Sequence, residues 1–416
     1  MKRCSYRWEQ CNEEVQCPEE IWSGSEEYCI FHDSSPDKDV KLFEEKLKEK
    51  LGRKDYSFVG YFFPEKVDLT ERRFEENADF TGAVFRKDAD FRRTTFRKTH
   101  FIAASFQKDA SFTGATFHKD VYFSGAAFQY AYFIEASFKK EADFKGATFQ
   151  KADFSGVNFQ KANFLQSTFR YVSFLGANIE RNLEFTPKKV KRLDLQYAQF
   201  LFKGHITVDL SRTRFYRAGL ENVAFVDCRW PERIYEETHS EKMGLSFAEL
   251  ETIYRDLKQN MQRHGDYSRA GEFYYREMEM RRKGTKAKKR RLWLELYRLL
   301  AGYGEKPQLI VRNSFLVILL GAILFFFCGV ARVGAEIPPE ENPYIIDYSL
   351  DSLSLSITTF KDFYYCFYYS VVTFTTLGYG DIHPLGHSHT FAFLEALTGA
   401  FFMALFVVVF ARKMMR

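Results

Sequence analysis

The chain has 416 residues, 28% of them charged and 46% hydrophobic, with a formal net charge of +5. That length allows two or three domains, and the charged fraction excludes a protein embedded in lipid along its whole length. So mild a net charge excludes nucleic-acid binding driven by bulk electrostatics. The 46 Phe and 24 Tyr residues far exceed ordinary usage, and the long apolar runs all follow residue 309. Residues 1–30 are polar and hold no apolar signal-peptide core. The N-terminal part is therefore read as cytoplasmic, where thiols stay reduced.

Four cysteines and a histidine open the chain: Cys4, Cys11, Cys17, Cys29 and His32. Thiolates with an imidazole suit tetrahedral Zn²⁺, and so short a segment (1–35) has too few apolar residues to fold unaided. Cys29-x-x-His32 resembles a zinc-knuckle half-site, while the other spacings fit no common finger. Five candidates compete for four positions, and ordinary reduced cysteines are the alternative. No partner base for a catalytic thiol is identifiable. Residues 36–77 read as a helical entry linker.

From Phe80 an aromatic or aliphatic residue recurs every five residues, with an occasional sixth, through Phe85, Phe91, Phe96, Phe101 and Phe106 to Phe174 and Ile179. A small residue such as Ala78, Ala83, Ala89, Ala115 or Ala126 stands two places earlier. A period of five fits neither an amphipathic helix nor an ordinary strand. It fits a square coil whose five-residue sides stack each Phe and each small residue on its equivalent, one turn to the next. Ala78-Asp79-Phe80, Ala152-Asp153-Phe154 and Ala162-Asn163-Phe164 resemble the pentapeptide-repeat family, which implies a right-handed quadrilateral β-helix. The repeat is assigned to 78–230, with twenty clear sides making roughly five turns at the spacing of paired strands. Six-residue steps such as Lys108-Asp109 and Lys140-Glu141 are expected to bulge at corners. Some members of that family resemble acidic mimics of DNA; here 14 Lys/Arg against 9 Asp/Glu between Ala78 and Ile179 argue against mimicry. The plain expectation is a rigid module for assembly, with its protein partner unspecified and no nucleic acid bound.

Ser246-Phe247-Ala248-Glu249 reads as a capping box opening a helical hairpin over 241–284, which resembles a tetratricopeptide unit. Residues 285–304 join a basic start to Leu292, Trp293, Leu296 and Tyr297, the pattern of a helix lying in the headgroup layer.

Phe315–Ala331, extended by Ile310 and Val311, and Phe391–Ala411 are each long and apolar enough to span a bilayer. Between them lies the short aromatic segment Asp362–Phe374, too brief to cross. Basic residues precede the first span, and Arg412, Lys413 and Arg416 follow the second, which places both termini inside. The stretch Ala335–Asp351 carries Glu336, Glu340, Glu341, Asp347 and Asp351 without Lys or Arg, as suits the outer face. Residues 308–416 thus form an all-α two-span pore module with membrane lipid around it.

The segment Thr375, Thr376, Leu377, Gly378, Tyr379, Gly380 and Asp381 resembles the potassium-channel signature T-V-G-Y-G-D, with Leu377 in place of Val. Tyr368 to Thr376 resembles that family's pore helix, with Val372 where some members have Glu. The resemblance implies a homotetrameric potassium-selective pore in the plasma membrane, with K⁺ as permeant ion. Stacked backbone carbonyls replace the ion's water shell, and Gly378 and Gly380 supply backbone angles closed to residues with a Cβ. The Leu377 side chain is expected to face away from the pore and Tyr379 to brace the filter's width. Gly399 falls at the family's flexible inner-helix glycine and is a hinge candidate. His383 falls where many members line the outer mouth, so its protonation would put positive charge in the path of arriving K⁺. Glu395 is costly in lipid and should face protein, with Ser370 or Thr373 as partner. The alternative is a membrane-tethered repeat scaffold whose pore is vestigial or non-selective. No nucleophile–base pair or cofactor loop points to an enzyme.

Overall fold

The computed structural model describes residues 2–10, 13–201, 203–334, 343–349 and 356–414. Cys11, Glu336, Glu340, Glu341, Asp351 and Arg416 lie outside the described residues. The chain divides into two compact units, Met1–Asp266 and Tyr267–Arg416.

In the first unit an antiparallel hairpin, Arg7–Gln10 with Glu13–Gln16, precedes helix α1, Val40–Gly52, whose N-terminus is capped by Asp39. A β-solenoid of about eight turns follows. Every ladder between successive coils is parallel. Phe63, Phe85, Phe106, Phe128, Phe149 and Phe169 are register partners in one column. Their rings lie 4.5–4.9 Å apart and within 5° of parallel. Phe74, Phe96, Phe117, Phe138 and Phe159 form a second column of the same kind. The small residues stack beside them, with Ala89, Ala110, Ala131 and Ala152 in register and buried. Each fully buried ring contributes about 2–3 kcal/mol of transfer free energy, so a column stabilises the rod without any other kind of core.

The residue after the small one has its own task. Asp79, Asp143, Asp153 and Asn163 each accept a hydrogen bond from the backbone N–H two residues on, at 2.9–3.0 Å. This Asx turn closes the corner, and it explains why Asp or Asn recurs there. The register slips between Phe106 and Asp109, between Phe138 and Glu141, and between Phe159 and Lys161. There a six-residue side faces a five-residue one, so the extra residues bulge at corners as expected. The solenoid extends beyond the twenty sides counted from Phe80. Strands at Phe62–Phe63, Val67–Asp68 and Arg73–Phe74 already pair with the next coil. Leu69 occupies a position that the Phe pattern alone overlooks.

Both ends of the solenoid are closed, as open strand edges require. At the first coil, the Phe62 N–H donates to the Phe31 carbonyl, and Lys38 Nζ donates to the carbonyls of Phe62 at 2.6 Å and Phe31 at 3.3 Å. At the last, the buried Glu236 carboxylate accepts from the backbone N–H groups of Phe215 and Tyr216. Helix α2, Phe247–Arg263, opens on the capping box of Ser246 and Glu249 and buries Leu250, Ile253, Tyr254 and Leu257. Its Asn260 donates to the carbonyls of Leu220 and Val223. The division between units falls just after this helix, inside the segment read as a hairpin.

The second unit comprises α3 (Tyr267–Gly284), α4 (Lys288–Ala301), α5 (Pro307–Cys328), α6 (Ile357–Phe374) and α7 (Ser388–Met414). Helices α5 and α7 are long and apolar enough to cross a membrane. Leu292, Trp293, Leu296 and Leu299 leave an apolar stripe of α4 exposed. Between α4 and α5 the chain turns through Gly302, Tyr303 and Gly304, all at positive φ. Tyr303 is fully buried there, and its hydroxyl donates to Glu279 at 2.8 Å. The end of α7 returns to this elbow: Lys413 Nζ donates to the Glu305 carbonyl at 3.1 Å, and Arg412 lies 3.8 Å from the Glu305 carboxylate.

Candidate ion pathway and metal centre

Helix α6 is placed by what its two sides touch. Ser356 caps its start by accepting from the Thr359 N–H. Its buried side carries Cys366, Tyr369, Ser370 and Val372, with Tyr369 and Cys366 in one apolar cluster with Phe325, Phe326 and Ile382. The buried Asp362 accepts from the hydroxyls of Tyr344 at 3.1 Å and Tyr348 at 2.7 Å. On α7, Glu395, Gly399 and Phe402 share the face turned to α6. Glu395 meets Ser370. A Cβ at Gly399 would lie 1.9 Å from the Phe374 carbonyl oxygen, so this glycine is required for close helix approach. Phe402 packs on Phe374.

The chain leaves α6 through Thr375, whose N–H still donates to the Val371 carbonyl, and Leu377 N–H donates to Val372. Thr376, Gly378 and Gly380 then take φ values of 57°, 60° and 78°. Among the described residues, chain neighbours aside, no atom lies within 4 Å of a Cβ built on Gly378 or Gly380, so backbone conformation calls for glycine at both. The carbonyl end of α6 is directed at the start of this segment, and a helix C-terminus carries partial negative charge. Leu377 and Tyr379 are 58% and 66% exposed in the single chain, as are Phe393, Leu397 and Val408 on α7.

Beyond the glycines the strand Ile382–Pro384 pairs antiparallel with Val330–Arg332, which also pairs with Tyr344–Ile346. The Asp381 carbonyl accepts from the Val333 N–H at 2.8 Å, and Arg332 covers the Tyr365 ring at 3.8 Å. This three-stranded sheet fixes the far end of the glycine segment; sequence reading missed it, because its strands are short and far apart in the chain. His383 lies in the strand, exposed and opposite Ala331.

Far from the spans in sequence, Cys4, Cys17, Cys29 and His32 bring four ligand atoms within 4.8 Å of one another, all buried. Cys29 Sγ lies 3.1 Å from His32 Nδ1 and 3.9 Å from Cys17 Sγ; Cys4 Sγ lies 3.6 Å from the same nitrogen. Ligands about 2.0–2.3 Å from a tetrahedral zinc stand at roughly such separations from one another. His32 Nε2 is 2.8 Å from the Val59 carbonyl. Donation there leaves Nδ1 as the free acceptor, the usual outer-shell device for orienting a metal-binding imidazole. Tyr6 stacks on the same ring at 4.0 Å, and a Cβ on Gly60 would fall 2.0 Å from Tyr6. The neighbouring Cys17 thiol and burial push Cys29 up to about 12, and burial also raises Cys4. The residues present therefore fit a metal ion that would compensate thiolate charge.

Comparison with known families matches residues 101–148 and 144–186 to pentapeptide repeats, in nine copies. Residues 314–416 match an ion-channel family. Among solved structures, the chain is similar to two trypsin-treated variants of QnrB1, a plasmid-mediated fluoroquinolone resistance protein, at 18% and 17% identity. These alignments cover 39% and 45% of this chain and 80% and 96% of QnrB1, each with a TM-score of 0.14. No curated protein matches the chain. A pentapeptide-repeat solenoid and a two-transmembrane-type ion-channel domain are thus fused in this one chain.

Proposed function

We propose that the chain is one subunit of a homotetrameric, potassium-selective channel of the plasma membrane, with Thr375 to Asp381 as its filter. The observation that carries this reading is the pair Gly378 and Gly380, held at positive φ with open space where a Cβ would stand, directly after the C-terminal end of a short pore helix. Carbonyls can face a common axis in such a segment and replace the hydration of a cation. The exposed Leu377 and Tyr379 side chains become the surfaces that neighbouring subunits cover. Both termini are cytoplasmic, in keeping with the basic residues before α5 and after α7. The apolar stripe of α4 lies in the headgroup layer, and the solenoid serves assembly or gating. Zn²⁺ at Cys4, Cys17, Cys29 and His32 holds the N-terminal hairpin on the first coil. His383 lines the outer mouth, and Gly399 lets the inner helix approach the pore helix.

Reconstituted protein recorded under opposed potassium and sodium gradients tests the reading. Wild type should reverse near the potassium equilibrium potential, and Gly378→Ala should lose that preference. A Gly378→Ala channel that still strongly prefers potassium would overturn the filter assignment. The same recordings under external acid should show a fall in inward current that His383→Gln abolishes; identical titrations would remove His383 from the mouth.

A further inference from the structure

Three helices of the pore module meet at one hydroxyl. Ser370 Oγ of α6 lies 2.7 Å from the Ile318 carbonyl of α5 and 2.5 Å from Glu395 Oε1 of α7. A Cβ at Gly321 of α5 would fall 2.3 Å from that same Oε1 and 2.7 Å from Ser370 Oγ, so glycine leaves the meeting point clear. A serine hydroxyl carries one proton, whereas a carbonyl and an ionised carboxylate only accept. That single proton cannot serve both contacts. Both are satisfied when Glu395 carries a proton of its own: Glu395 Oε1–H donates to Ser370 Oγ, and Ser370 Oγ–H donates to the Ile318 carbonyl.

The surroundings agree. Glu395 is 6% exposed, and its Oε2 has no hydrogen-bond partner among the described residues. An orphaned oxygen costs far less on a neutral acid than on an anion. Among the described residues no cation pairs with Glu395. Helix α5 has no titratable group between Arg312 and Cys328, and α7 has none besides Glu395 between His389 and Arg412. On α6 the titratable groups are Lys361, Asp362, Cys366 and four tyrosines.

We propose that Glu395 is a positioning residue of the ion pathway, holding a proton through which the inner helix is tied by Ser370 to the pore helix and the outer helix. Ionisation removes one donor from the chain, so Ser370 must release either α5 or α7, and the helix behind the filter loses a tether. Only the current measurements below rest on the potassium-channel reading; the proton itself is read independently.

Infrared spectra of the full-length protein in liposomes supply the test. At neutral pH the wild type should show the carbonyl band of a protonated, buried carboxyl that Glu395→Gln lacks. Ser370→Ala should keep the band but shift it, because the acid loses its acceptor. In recordings, Glu395→Gln, which is neutral and still a donor, should keep wild-type open probability and lose any alkaline sensitivity. Glu395→Leu and Ser370→Ala should lower open probability about three- to tenfold, the scale of one net hydrogen bond. Absence of the band from wild type at neutral pH overturns the proposal even if the channel conducts normally. So does a Gln variant as impaired as the Leu variant. A chain that passes no current but shows the band, shifted in Ser370→Ala, keeps the proton chain and sinks the channel reading instead.

Discussion

Single residues set the corners and ends of this protein. Glu249 illustrates how. As the fourth residue of its capping box it accepts from the Ser246 N–H at 2.9 Å and from the Tyr216 hydroxyl at 2.7 Å. The Ser246 backbone bond, then Tyr216 and the Ser246 side chain, hold its carboxyl down at about 2. A carboxyl depressed on folding stabilises the fold above its ordinary range, and that contribution fades as pH falls toward 2. Glu249→Gln should therefore cost about 0.5–1 kcal/mol at neutral pH, the scale of a helix cap at a solvent-screened site. Near pH 2 the two proteins should melt alike. Thermal unfolding across that range checks it, and a gap that persists in acid would contradict the assignment. The box was legible as Ser246-x-x-Glu249, because both partners lie within one helical turn. The Tyr216 contact was not, since it joins α2 to the last coil of the solenoid.

At the scale of elements, what repeats was legible and what closes was not. The Phe columns are written in the sequence as a period, and the glycine segment as a motif, so residue order alone reveals both. Lys38, Glu236 and Asn260 satisfy strand edges that exist only once the coil has formed. The candidate metal centre lies between these cases. Its residue types were readable, but its spacing matched no finger, because an antiparallel hairpin supplies the geometry. Pairing Arg7 with Gln16 brings Cys4 and Cys17 to the same end of the ladder. Cys29 and His32 then complete the set from the next turn of chain. Purified protein should carry one zinc per chain, and chelation or Cys29→Ser should lower the melting temperature of the solenoid. Structural zinc is worth on the order of 10 kcal/mol in small zinc-dependent folds, so the first coil should become protease-sensitive. Metal at background level, with every thiol freely titratable, would remove the centre.

For the whole molecule the sequence declares two modules, and the described units also divide near the end of the repeat-bearing part. A shortened protein beginning at Lys286 should keep potassium over sodium selectivity, while its open probability or tetramer yield changes. Loss of selectivity in intact tetramers would mean that the pore cannot be understood on its own. Within the second unit, the elbow at Gly302–Gly304 bears on how α7 is anchored. Three successive left-handed residues, with a buried Tyr303 at φ 59°, make a tight corner in which a non-glycine side chain is held in a sparsely populated region. Both Arg412 and Lys413 at the end of α7 reach Glu305 beside it. The end of α7 is thereby tied to the turn between α4 and α5, so these two helices share one anchoring point at Glu305.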